Sequence, residues 1–311
     1  MSTLMQKDVL IELISTVQAR LSQSYKKQNV NDDLTYLVEL RHLVYQSQPQ
    51  DLDYSLLSHS IQCIASKYNL LNKLNIDANI LNYDVDIDVD KKFPLVWDNL
   101  LAGNYISSQE YPIATLLGGQ PGSGKSYGSK LMLERLNNNV LVINGDEFRP
   151  YHQYFDEIYA KYGKDFSKYT GEFAGKMVEK IRDEAIKQRF NIVIEGTFRR
   201  AELPLKELIN FERKGYKTGV IICTCSSKTS WHSTIERAEE QQAQGLNPRY
   251  VPKEHHDLVV SKLAENVSSV VEKGSLSFFE IYSRESKQFD LQTGNTSLIK
   301  DVITKILAAK I

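Results

Sequence analysis

Ala114-Thr115-Leu116-Leu117-Gly118-Gly119-Gln120-Pro121-Gly122-Ser123-Gly124-Lys125-Ser126 is a short apolar run followed by the spacing G-x-x-x-x-G-K-[ST]. An apolar continuation at helical spacing, Leu131, Met132 and Leu136, comes next. Strand, loop and helix in that order make a phosphate-binding P-loop. Backbone N–H groups converge on phosphate oxygens only where no Cβ blocks the approach or where φ is positive, and Gly119, Gly122 and Gly124 supply that freedom. The whole loop Gly119, Gln120, Pro121, Gly122, Ser123, Gly124, Lys125, Ser126 is thus the expected nucleotide cradle. The helix starting near Ser123 aims its positive end at the anion, Lys125 reaches the β- and γ-phosphates, and the Ser126 hydroxyl ligates Mg²⁺. A glycine-rich turn that binds nothing is the bland alternative, and the ordered flanks argue against it.

Outward from the loop, apolar runs at 114–118, 140–143, 191–194, 219–224 and 278–283 alternate with helical stretches. That alternation predicts an α/β fold with a mostly parallel sheet covered by helices. Ligands in such sheets gather beyond the carboxyl ends of the strands, so the residues after each run are the candidates. The second run ends in Asn144-Gly145-Asp146-Glu147-Phe148-Arg149, where Asp146 can take a proton from an attacking hydroxyl, hold Mg²⁺ through water, or simply cap a helix. The third ends in Ile194-Glu195-Gly196-Thr197-Phe198-Arg199-Arg200. Glu195 there can grip substrate hydroxyls, serve the metal or form a structural salt bridge, and the residues alone do not separate these.

Five ordered blocks carry a family resemblance: the P-loop, Gly145-Asp146-Glu147-Phe148-Arg149, Tyr169-Thr170-Gly171-Glu172-Phe173-Ala174-Gly175-Lys176-Met177-Val178-Glu179, Ile194-Glu195-Gly196-Thr197-Phe198-Arg199, and Pro252-Lys253-Glu254-His255-His256-Asp257. Over roughly residues 95–305 the chain resembles the zeta-toxin family. The resemblance implies a P-loop NTPase-type kinase domain that uses ATP and Mg²⁺ to phosphorylate the 3′-hydroxyl of the amino sugar in UDP-N-acetylglucosamine. Its product poisons peptidoglycan precursor synthesis, which makes such proteins bacterial toxins. By the same resemblance Lys125 is the phosphate-gripping lysine and Asp146 the general base, and Glu179, Glu195, Thr197 and Arg199 line the sugar-nucleotide pocket. Arg237 and Arg249 match the arginines that neutralise the transferred phosphoryl group, a task suited to guanidinium forks.

Before the P-loop, three amphipathic patterns are legible: Leu10, Leu13, Ile14, Val17 and Leu21; Leu34, Leu37, Leu40 and Val44; and Leu57, Ile61, Ile64, Ala65 and Tyr68. Each has one apolar stripe, so a small all-α three-helix bundle is expected over residues 1–75, a linker over 76–93 and the kinase domain over 94–311. Asp84-Val85-Asp86-Ile87-Asp88-Val89-Asp90 reads as an exposed linker or charged edge strand; Val89 and Leu95 stand where a calcium loop needs glycine and glutamate. Residues 1–90 hold twelve acidic against seven basic side chains, net −5. Zeta toxins are usually neutralised by a separate small helical antitoxin. The extra N-terminal helices are therefore expected to be an antitoxin-like bundle fused in cis, an intramolecular inhibitor whose first helix occludes ATP and whose tether makes even a weak contact effective.

The chain-wide net charge of −1 excludes a global field for nucleic acid or membranes, and no apolar run reaches membrane-spanning length. With Cys63, Cys223 and Cys225 its only cysteines and no secretory pattern at Met1 to Asp8, a reducing cytoplasmic setting is expected. Cys223-Thr224-Cys225 belongs to an apolar strand, and His255-His256 lacks the i+3 or i+4 partner of a metal site, so both are assigned structural roles. Two rival functions stay open on the residues alone: a kinase of another small acceptor, such as an antibiotic or nucleoside, and a nucleotide-binding regulator acting through protein association.

Overall fold

The computed structural model describes residues 3–24, 30–71, 83–284 and 286–309. Its centre is one six-stranded sheet built from β1 (Ile113–Gly118), β2 (Leu141–Ile143), β3 (Ile192–Glu195), β4 (Lys217–Thr224), β5 (Phe278–Ser283) and β6 (Ser286–Asp290). The order across the sheet is β2-β3-β1-β4-β5-β6. All five strands expected from the apolar runs are present and parallel; the sixth, β6, is antiparallel to β5. Its sequence Ser-Lys-Gln-Phe-Asp buries only Phe289 fully, so an edge strand of this kind has no apolar run to announce it.

The strands read as continuous apolar runs because both faces are covered. Leu116 packs with Ile192, Val220, Phe279 and Ile281 on one side, while its neighbour Leu117 joins Met132, Val193, Ile221 and Tyr282 on the other. Helices α5 (Lys125–Arg135), α8 (Gly171–Lys187), α9 (Glu202–Arg213), α10 (Ser227–Ala243), α11 (Lys253–Lys273) and α12 (Ile299–Leu307) follow the sheet strands in the chain. Among the described residues no helix is long and apolar enough to cross a membrane.

The three N-terminal helices form as their stripes predict: α1 (Thr3–Ser24), α2 (Asn31–Gln46) and α3 (Tyr54–Lys67). Leu10, Leu13, Ile14, Val17, Leu21, Leu37, Leu40, Val44, Ile61 and Ala65 are all buried. Their core is not self-contained, however. It continues into Tyr154, which precedes α6 (Phe155–Tyr162), into Phe155 and Ile158 of that helix, and into Phe166 of α7 (Phe166–Tyr169), the two helices that follow Asp146. Polar contacts fix the seat: Lys161 pairs with Glu12 at 2.6 Å and the Tyr169 hydroxyl donates to Asp8 at 3.2 Å.

The acidic stretch departs from its expectation. Residues 85–101 are a helix, α4 (Val85–Leu101), neither linker nor edge strand. The alternating acids serve a helix in three ways, which is why a period of two misleads here. Asp84 caps it, accepting from the N–H groups of Asp86 and Ile87. Asp86 and Asp90, one turn apart, pair with Lys176 and Lys180, also one turn apart on α8. Asp88 points inward and accepts from the Tyr83 hydroxyl and the Gln153 amide, and Val89, Val96 and Trp97 join the sheet's core. The first part of the expected linker, through residue 82, lies outside the described residues.

Candidate active site

The P-loop follows β1, and its glycines are there for steric reasons. Gly119, Gly122 and Gly124 have φ of +146°, +75° and +87°, a region that penalises side chains. A Cβ on Gly119 would lie 1.9 Å from the Cys223 carbonyl oxygen, and one on Gly122 would lie 2.0 Å from that of Ser230. The loop is therefore pressed against the end of β4 on one side and the first turns of α10 on the other. Gln120, fully buried, staples it further: its amide donates to the Cys225 carbonyl at 2.8 Å and its oxygen accepts from Thr224 at 3.0 Å. Cys223 and Cys225 are free and buried, part of this strand end as expected.

Ser230, Thr234, Arg237 and Ala238 follow one another at helical spacing, so they form one stripe of α10. Because Ser230 and Thr234 abut Gly122, that stripe delivers Arg237 to the phosphate site. The Arg237 Nε is buried without a hydrogen-bond partner among the described residues. Burial and the neighbouring Arg249 lower its pKa, with Asp146 and Glu195 opposing them. His256, fully buried, ties α11 to the same turn through a 2.9 Å hydrogen bond between its Nε2 and the Ser230 hydroxyl.

Gly122→Ala is expected to collapse this arrangement. Left-handed strain and the clash with the Ser230 carbonyl together cost roughly 2–5 kcal/mol. Thermal denaturation with and without ATP checks it: the melting temperature falls by several degrees and the ATP-induced rise disappears.

Lys125 opens α5, and its Nζ donates to the carbonyls of Gly119 and Gln120 at 3.2 and 3.4 Å. Burial lowers its pKa, while Glu195 and Asp146 nearby favour the charged form. Asp146 sits in a 3₁₀ turn, Gly145–Tyr151, after β2. Burial alone would raise its carboxyl, but the Arg149 guanidinium, with Arg249 and Lys125 behind it, holds it below the usual carboxylate range. Arg149 Nε donates to Oδ1 at 2.8 Å and its Nη1 is anchored on Ser167 and Thr170, leaving Oδ2 unengaged among the described residues. Sequence reasoning left Arg149 without a role; its signal is the i, i+3 spacing, which a 3₁₀ turn eclipses.

Glu195 ends β3 and accepts from the Ser129 hydroxyl at 2.8 Å. Thr197 is half-buried in the loop that follows, and Arg199 is exposed. Between them Phe198 is held at φ +54°, its ring over Gly118 and its carbonyl accepting from Asn266 at 2.9 Å, which fixes how the two flanking side chains leave the loop. His255, for which the sequence suggested only a structural role, stands among Arg199, Asp146 and Arg149, and burial with those arginines lowers its pKa. The Arg249 amide donates to Gln241 at 2.8 Å, tethering the loop after α10. Lys125, Asp146, Glu195, Arg237 and Arg249 thus share one electrostatic neighbourhood. Glu179 differs: it is exposed on α8 among Lys176, Arg182 and Glu207, and no hydrogen bond or ion pair among the described residues joins it to that group.

No group of three or more His, Cys, Asp or Glu among the described residues is placed to hold a metal by itself. Mg²⁺ carried by a nucleotide needs none, since phosphate oxygens and water fill most of its octahedron. The exposed Ser126 hydroxyl, without a hydrogen-bond partner among the described residues, suits the remaining position.

A family model described as zeta toxin matches residues 98–296, leaving α1 to α3 outside the match. Toxin PezT of Streptococcus pneumoniae is 36% identical over 203 residues, 64% of this chain and 79% of that protein. Toxin zeta of Streptococcus pyogenes is 33% identical over 237 residues, 75% of this chain and 81% of that one. A solved structure from the PezAT chromosomal toxin-antitoxin system of S. pneumoniae superposes with a TM-score of 0.64 at 30% identity, covering 74% of this chain and 90% of that chain. The matched residues span the P-loop, Asp146, Glu195, Arg237 and Arg249, the same side chains that the fold gathers at one rim of its sheet, and the chain belongs to the zeta toxin family.

Proposed function

We propose that this protein is an ATP-dependent kinase that phosphorylates the 3′-hydroxyl of the amino sugar of UDP-N-acetylglucosamine, a toxin acting on peptidoglycan synthesis. The observation that carries the reading is the convergence of Lys125, Arg237 and Arg249 on the P-loop beside the carboxylate of Asp146. Phosphoryl transfer is catalysed mainly by positioning and charge neutralisation, and these are its parts. Asp146 Oδ2 takes the proton of the acceptor hydroxyl as its oxygen attacks the γ-phosphorus. The bond to the β,γ-bridging oxygen breaks and ADP leaves. Lys125 exchanges the Gly119 and Gln120 carbonyls for phosphate oxygens, and Arg237 gains in the equatorial oxygens the partner its Nε lacks. Ser126 would hold a nucleotide-borne Mg²⁺, which would supply further charge neutralisation. Glu195, Thr197, Arg199 and Glu179 are the side chains proposed to hold the sugar nucleotide.

The N-terminal bundle is proposed to restrain this kinase in cis, the part an antitoxin plays in trans. Its support is the seat of α1 on α6 and α7, which lie between Asp146 and α8. Lys164, just beyond α6, stands 5.0 Å over the ring of Tyr250, next to Arg249, so the seat adjoins the arginine loop. One assay tests both statements. The full chain and its Asp8→Lys/Glu12→Lys variant, which sets like charges beside Lys161, are incubated with ATP and UDP-N-acetylglucosamine, nucleosides or aminoglycosides. Phosphorylation of the sugar nucleotide is expected, faster in the variant by roughly tenfold or more. Transfer to a different acceptor instead would overturn the substrate, and equal rates would overturn the restraint.

A further inference from the structure

Among the described residues the Asp146 carboxylate has one side-chain hydrogen-bond partner, Arg149, and the pair is not an ordinary surface ion pair. The Arg149 side chain is 18% exposed against 50% for Asp146, so the guanidinium stands behind and the carboxylate is the outer member. While Nε donates to Oδ1, Nη1 donates twice, to the Ser167 carbonyl at 2.9 Å and to the Thr170 hydroxyl at 3.0 Å. Thr170 is fully buried and donates in turn to the Phe166 carbonyl at 3.2 Å. The 3₁₀ turn after β2 is thereby tied to the junction of α7 and α8, 18 and 21 residues further on.

These bonds fix a direction as well as a charge. A guanidinium is planar and its N–H groups leave at set angles. With Nη1 fastened to residues 167 and 170, the plane of the Arg149 head is set, and so is the line along which Nε meets Oδ1. An unheld aspartate turns freely between rotamers. Here one oxygen is tied down and its twin, Oδ2, is left for other work. The same guanidinium weakens the carboxylate as a base, since a neighbouring positive charge lowers its affinity for a proton. Magnitudes decide which effect wins: one unit of basicity is worth at most about tenfold in rate, whereas a reacting group misplaced by about 1 Å loses on the order of 10²-fold. We propose that Arg149 is a positioning residue of the phosphoryl transfer: fastened to the α7–α8 junction, it turns the Asp146 carboxylate so that Oδ2 faces the acceptor hydroxyl.

The proposal rests on the kinase reading, and the test tells the two apart. Transfer from ATP to UDP-N-acetylglucosamine, or to whichever acceptor the wild-type chain uses, is followed against pH in the full chain, in Arg149→Lys and in Arg149→Met. Asp146 is also faced by Lys125 of α5, Arg237 of α10, Arg249 of the loop after it and His255 of α11, with Glu147 beside it, and these stay as they are. Both variants are expected to lose roughly 10–10²-fold in kcat with KM for ATP unchanged. The acid limb of the profile separates them: it stays low in Arg149→Lys, which keeps a positive charge, and moves up by about one pH unit in Arg149→Met. Should the methionine variant melt early, the lysine variant alone decides.

A lysine that restores kcat would overturn positioning in favour of charge alone. Wild-type kcat in both variants, or a loss confined to KM for the acceptor, would overturn the proposal while leaving the kinase intact. An acid limb unmoved in a folded Arg149→Met would do the same, by showing that Arg149 does not act through Asp146. A wild-type chain that transfers phosphate to no acceptor would overturn the kinase reading and this inference with it.

Discussion

Asp146→Asn is expected to reduce turnover by roughly 10²–10⁴-fold, the range of a lost general base, with ATP affinity nearly unchanged. Asparagine keeps the shape and can still accept from Arg149 through its amide oxygen, so the 3₁₀ turn survives. What is lost is a site for the proton on Oδ2. The pH profile supplies a second signature. Because Arg149, Arg249 and Lys125 outweigh burial and hold the carboxyl below its ordinary value, Asp146 stays ionised as the pH falls through about 4. The acid limb of kcat/KM in the wild-type protein should accordingly lie below that of an unperturbed aspartate. Single-turnover measurements with saturating ATP check both statements; near-normal turnover in the variant would remove Asp146 from the chemistry.

Arg237→Ala is expected to cost even more, about 10³–10⁵-fold in kcat, as for other arginines that meet a transferring phosphoryl group. Its effect on stability should run the other way. A half-buried guanidinium whose buried Nε has no partner among the described residues, and whose charge is disfavoured by burial and by Arg249, contributes nothing to the fold that an apolar side chain would not. The variant should melt at the same temperature as wild type or slightly higher, while losing activity. Arg237→Lys keeps the charge without the fork and should recover only part of the rate. A parallel loss of stability and activity would assign Arg237 to structure.

The P-loop, the five parallel strands and the stripes of α1 to α3 were readable in the chain because each is a local signal. Glycines at positive φ, continuous apolar runs and a 3.6-residue period depend only on neighbours in sequence. The acids of residues 84–90 show the limit. Their alternation fits a strand equally well, and only the lysines of α8, ninety residues on, select the helix. β6 was silent because an edge strand half open to water needs little apolar content.

At the candidate site, the placement of Lys125 and Asp146 at one rim was evident from position, since each lies in the segment after a parallel strand that ends there. The grip of Arg149 on Asp146 and the approach of His255 were not, being products of a 3₁₀ turn and of how α11 docks. By itself the sequence determined the phosphate cradle and the layered α/β frame, because backbone sterics and hydrophobic periodicity act over a few residues. Only the tertiary structure decided that Ser230 fills the space beside Gly122 and so carries Arg237 inward, and that the bundle completes its core on α6 and α7. Contacts between distant segments leave no local pattern; they exist only once the chain is packed.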